Sequence, residues 1–227
     1  MIRHSDSVIE ALRKDVFRMG GLCEAILEKS LRSVLDRDAP LAESVAHDDL
    51  EIDQLDIDID EGVLKALALQ APVAADLRVV LAIKMVATDL ERVGDISRNI
   101  AKSAIRLAER EESQAFPPQL IPMSRDVQRI LRLALDAFSR TDAELARDVL
   151  DQDDAIDDLQ DEIVRDMLTE LETQSQGASR DVDLIWIAKN LERVADHATN
   201  IAEQVILVAE ARNVKHASKL AAANGPD

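Results

Sequence analysis

Leu90-Glu91-Arg92-Val93-Gly94-Asp95-Ile96-Ser97-Arg98-Asn99-Ile100-Ala101 recurs as Leu191-Glu192-Arg193-Val194-Ala195-Asp196-His197-Ala198-Thr199-Asn200-Ile201-Ala202. Eight of the twelve positions are identical, at a constant offset of 101 residues (91 to 192, 95 to 196, 99 to 200). Self-similarity at a long fixed period marks a duplicated unit, and it decides the architecture before local propensity does. Each motif sits inside a long run of apolar residues three and four apart. Val79, Ile83, Val86, Leu90, Val93, Ile100 and Leu107 form one run; Leu184, Ile187, Leu191, Val194, Ile201, Val205 and Val208 form the other. That spacing places them on one buried helical face.

Working outward, four more runs have the same period. Ile9, Leu12, Val16, Met19, Cys23 and Ile26 predict a first helix, with Ser5 or Ser7 suited to cap it. Gly20-Gly21 within it marks a close helix crossing or a kink. Pro40 suits the first turn of a second helix carrying Leu41, Val45, Ile52, Leu55, Ile59 and Val63, which stops by Pro72. The third helix, with the first motif, runs from about Asp76 to Arg110. Glu111 to Pro118 reads as a joint, after which Val127, Ile130, Ala134 and Phe138 begin the pattern again. Asp142 is a good cap for a fifth helix through Leu145, Val149, Ile156, Leu159 and Ile163, and the sixth starts near Arg180-Asp181. The fold class predicted is all-α, a tandem repeat of two antiparallel three-helix bundles with six long helices. Residues 1–112 make the first bundle, 113–212 the second, and 213–227 a tail.

Composition agrees. Aromatic residues are 2% of the chain and tyrosine is absent, so the supply for sheets is poor, while good helix formers dominate. The net charge of −18 argues against nucleic acid as a partner and against docking on an anionic membrane. It favours basic protein partners and multivalent cations. The one cysteine, Cys23, excludes an internal disulfide and falls on an apolar stripe, as a packed thiol does. No signal-peptide pattern opens the chain and no 18-residue apolar stretch occurs, so a soluble cytoplasmic protein without membrane insertion is expected.

The second and fifth helices also correspond, at an offset of 104 (45 to 149, 52 to 156, 59 to 163). In that register Asp49 matches Asp153 and Asp53 matches Asp157. Each unit thus carries two acidic i,i+4 pairs: Asp49/Asp53 with Glu91/Asp95, and Asp153/Asp157 with Glu192/Asp196. Residues four apart share a helix face. At about 100° per residue the Asp/Asp pairs flank the apolar stripe, and the Glu/Asp pairs lie further round, close to solvent. Antiparallel neighbours can turn such flanks toward each other, so each quartet can converge along a groove where like charges repel unless a cation joins them. Oxygen sets of this kind suit Mg, Mn, Ca or Fe, and zinc is also admitted. Any single acid pair is ordinary solvated surface; four at corresponding positions in two copies are not.

Arg92 and Arg193 follow each Glu, and Asn99 and Asn200 stand one turn beyond each Asp, as possible supports to bound metal or as packing and ion-pair partners. His197 has no counterpart in the first copy, and Trp186 reads as a core or interface residue. There is no Glu-x-x-His on a helix, no Gly-rich phosphate loop and no nucleophile–base set, so an enzyme is not expected.

Asp76-Leu77-Arg78, the first motif, and the second motif through Glu203 together closely resemble the PhoU family, from about Val8 to Val208. Ala195 departs from the family's usual glycine, present at Gly94. The resemblance implies a dimeric pair of three-helix bundles acting as a cytoplasmic negative regulator of phosphate uptake and phosphate-regulon signalling. Its partners would be the ATPase subunit of a phosphate ABC transporter and a sensor histidine kinase. It further implies metal on Asp49, Asp53, Glu91, Asp95, Asp153, Asp157, Glu192 and Asp196. A competing reading is a carboxylate-bridged metal-storage or redox bundle with no signalling role.

Overall fold

The apolar stripes fold into helices, and the computed structural model describes residues 4–110, 115–173 and 178–215. Helix α1 is His4–Asp36, α2 Ala39–Gln70, α3 Ala75–Ala108, α4 Leu120–Arg140, α5 Ala143–Leu150, α6 Asp153–Thr173 and α7 Ala178–Glu210. No strand occurs among the described residues. Asp38 caps α2 by accepting from the Leu41 N–H at 2.9 Å, with Pro40 in the first turn. Asp142 caps α5 in the same way, accepting from the Glu144 and Leu145 N–H groups. Helix α1 is described from His4 onward, so Ser5 and Ser7, the expected caps, fall on helical residues at the edge of the described chain. Half of the joint, residues 111–114, and most of the tail, residues 216–227, lie outside the described residues.

One expected element divides. The fifth helix is interrupted at Asp151-Gln152, where the Gln152 N–H reaches back three residues, to the Val149 carbonyl, and α6 begins at Asp153. In the first copy α2 runs unbroken through the matching Asp49.

Helices α1, α2 and α3 pack together, α7 packs against α4, α5 and α6, and α3 and α7 pack on each other across the duplication. Arg106 to Asp183 and Arg110 to Ser179 show that α3 and α7 run antiparallel. One continuous core includes Ile52, Ile59, Ile83, Leu90 and Ile100, each fully buried and worth about 1.5–3 kcal/mol on transfer from water. Gly20 resolves to a close crossing: a methyl there would stand 2.8 Å from Leu135 of α4. Cys23 is a packed thiol donating to the Leu90 carbonyl, its pKa pushed far up by burial and then by Asp49.

Candidate functional site

In the first copy the groove lies between α2 and α3. Asp49 is 1% exposed, held there because Gly94 lets the α3 backbone come close; a Cβ at Gly94 would lie 2.5 Å from Asp49 Oδ1. The Arg98 guanidinium donates to Asp49 Oδ2 at 2.6 Å and to Asp95 Oδ1 at 2.5 Å, bridging the two helices. At the other end of the groove Lys84 pairs with Asp56 and Asp60. Asp53 and Glu91 lie between. Burial raises the Asp49 pKa, Arg98 pulls it back, and Asp53 and Asp95 add to the rise. Burial also raises Glu91, Arg92 opposes, and Asp95, Asp56 and Asp53 push further. Arg92 does reach Glu91 at 3.4 Å and Asp95 at 3.5 Å, as an exposed ion pair of little energetic weight. Asp49 Oδ1 has no hydrogen-bond partner although it is buried.

The second copy, between α6 and α7, has the acids without the bases. Thr199 stands where the first copy has Arg98, its hydroxyl donating to the Asp196 carbonyl, and Ile185 stands where it has Lys84. None of Asp153, Asp157, Glu192 or Asp196 forms an ion pair among the described residues. Burial, then Asp157, Asp196 and Asp154, raise Asp153 from 3.8 to about 6. Asp157 is raised by burial and then Asp196; Glu192 by burial and then Asp196, Asp157 and Asp153, with Arg193 opposing. Ala195 stands where the first copy has Gly94, and Asp153, at the start of α6, is half-exposed where Asp49 is buried.

Each expected quartet therefore shares one groove and one electrostatic field. Among the described residues, no three of these acids are drawn into a ready coordination group. Four like charges spread apart, and the expected convergence reaches the groove but not a shell. Glu91 and Asp95 are half-buried under α2, not near solvent as the single-helix projection put them. Asn99, Asn200 and Arg193 lie on the α3/α7 side: Asn200 donates to Asp89 at 3.2 Å, while Asn99 and Arg193 line a cavity there. His197 is packed, its Nδ1 2.8 Å from Asp89. Trp186 is not a core residue; it is 55% exposed.

A family model for the PhoU domain matches residues 16–104 and again 120–205. The chain belongs to the PhoU family. Each match spans one copy of the motif and its acidic partners, so both quartets are parts of PhoU domains. The chain is 36% identical over 208 residues to the phosphate-specific transport system accessory protein PhoU homolog of Pseudomonas aeruginosa, covering 92% of this chain and 86% of that one. The crystal structure of PhoU from Pseudomonas aeruginosa superposes with a TM-score of 0.88 at 35% identity, over 91% of this chain and 99% of that one. The phosphate transport system regulatory protein PhoU from Streptococcus pneumoniae gives a TM-score of 0.86 at 26% identity, covering 93% and 100%.

Two expected results follow from the PhoU grooves. Gly94→Val drives two methyls into Asp49 and Ile52 and is expected to cost about 1–3 kcal/mol, read as a lower Tm. The second concerns pH. Between 3.8 and about 6 the folded chain keeps a proton on Asp153 that the unfolded chain has released. A raised carboxylate destabilises above its folded pKa, so metal-free protein gains stability from this group as pH falls through 6 toward 4. Asp157 and Glu192 shift in the same direction. Urea titrations across pH 4.5–7.5 check this, with saturating Mn²⁺ expected to remove the gain.

Proposed function

We propose that the chain is a cytoplasmic accessory protein of a phosphate-specific transport system, restraining phosphate uptake and phosphate-starvation signalling as an adaptor between the transporter ATPase and a sensor histidine kinase. The observation that carries this is the PhoU match over both copies, together with a relative named as a phosphate-specific transport system accessory protein and aligned over 86% of its length. No described helix is long and apolar enough to cross a membrane, which accords with an adaptor that docks on membrane partners from outside the bilayer.

Within that role the two copies divide the electrostatic work. In the first, Arg98 and Lys84 supply cations from the chain itself. In the second, Asp153, Asp157, Glu192 and Asp196 are hard oxygen donors with no basic partner among the described residues, and they fit a divalent cation such as Mg²⁺ or Mn²⁺. A bound ion would supply the positive charge that joins α6 to α7. Buried Asp49 Oδ1 keeps a lone acceptor in the first groove, so weaker occupancy is expected there. His197 is committed to Asp89, so the second quartet offers a cation carboxylate oxygens only.

Deletion of the gene tests the role. Phosphate-starvation genes are expected to switch on in phosphate-rich medium; unchanged expression contradicts the proposal.

A further inference from the structure

A second charged feature lies where α3 crosses α7. Asn99, Lys102, Ser103 and Arg106 from α3 meet Trp186 and Arg193 from α7 around an open cavity of about 300 Å³. In a chain of net charge −18, three cations grouped at one cavity call for a reason. Arg106 and Arg110 both pair with a single buried carboxylate, Asp183, which leaves positive charge in excess. Lys102 and Arg193 form no ion pair among the described residues; Lys102 donates only to Asn99 Oδ1, at 3.4 Å. Grouped like charges repel, and an anion between them removes that cost.

The duplication supplies an internal control. At the corresponding places 101 residues away, Glu203 stands for Lys102, Leu207 for Arg106, and Asp89 for Asn190, which borders the same cavity. Asp89 is there engaged by His197 and Asn200. The basic character is thus particular to one end of the α3/α7 crossing, and the shared frame does not require it.

We propose that this groove binds a phosphate group, free or carried on a small molecule. Lys102, Arg106 and Arg193 hold its charge, Asn99 and Ser103 offer short-range polar contacts, and Trp186 forms one wall. Guanidinium groups bind such oxyanions through paired, charge-assisted hydrogen bonds. The cavity is roomier than a lone phosphate needs, and the exposed indole is a stacking surface for an attached ring. None of the eight metal-quartet carboxylates lines this cavity, so the site is tested with metal chelated.

Trp186 is the only tryptophan in the chain, so its fluorescence reports on this cavity alone. The full-length protein is titrated in chloride buffer containing EDTA, once with inorganic phosphate and once with ATP, with calorimetry in parallel. At least one of the two is expected to give a saturable change in fluorescence with matching heat. Lys102→Gln and Arg193→Gln, both exposed positions, are expected to weaken it about tenfold or more while circular dichroism stays unchanged. Lys65→Gln, an exposed lysine of α2 that pairs with Glu61 outside the cavity, is expected to bind as wild type. A response to phosphate identifies the free anion as sufficient; a response to ATP alone identifies a carried phosphate. Absence of saturable signal and heat with both ligands overturns the proposal, as does wild-type affinity in both cavity variants.

Discussion

Arg98→Ala is expected to destabilise the metal-free protein by about 2–3 kcal/mol, less than the full cost of breaking a buried pair because Arg98 is itself partly solvated. Asp49 is 1% exposed, and Arg98 is its one ion-pair partner among the described residues. Removing the guanidinium leaves a buried carboxylate unpaired and takes from Asp95 one of its two arginine partners. For a chain of this size the loss corresponds to a fall in Tm of about 5–10 °C. The same change makes the first groove resemble the second, so a divalent cation that barely affects the first copy of the wild type is expected to bind there and restore much of the loss by mass action. Arg98→Lys keeps the charge and is expected to lose less. Thermal melts with and without Mn²⁺ read both halves of this expectation. An unchanged Tm in Arg98→Ala, with no response to metal, contradicts the role given to Arg98.

The matching change in the second copy is expected to act with opposite sign. Glu192→Gln with Asp196→Asn removes two of four mutually repelling carboxylates that have no basic partner, so the metal-free protein is expected to become more stable. Metal affinity of the second groove is expected to fall at least about a hundredfold, since loss of outer supporting groups alone costs 10–100-fold. Glu91→Gln with Asp95→Asn is expected to lower metal-free stability instead, because Asp95 is held by Arg98 and Arg92. Urea unfolding separates the two cases by sign. Equal effects in the two copies contradict the division of labour between them.

The helices and their pairing were legible because apolar spacing directly records which face is buried. The doubled motif likewise gave the correspondence of Asp49 with Asp153 and Asp53 with Asp157. What escaped was decided between helices. A projection of α3 alone sets Glu91 and Asp95 near solvent, because a single helix carries no record of α2 packed beside them, where both are half-buried. The counter-ions are legible only as differences within the repeat: Arg98 against Thr199, three residues beyond the matched Asp, and Lys84 against Ile185. The exchange of Gly94 for Ala195 is small for small, yet a Cβ at Gly94 would meet the buried Asp49, while Asp153 in the second copy is half-exposed. The break at Asp151-Gln152 carries no proline or glycine to announce it. Buried Arg180, Asp181 and Asp183 were also hidden, since charged residues near a helix start read as solvated.

The most direct measurement is an anomalous difference map from crystals of the protein equilibrated with Mn²⁺. The expected result is a strong peak between α6 and α7 among Asp153, Asp157, Glu192 and Asp196, with a weaker peak or none beside Asp49 and Arg98. A peak confined to the first groove, or no peak in either, contradicts the assignment of the second quartet as the cation site.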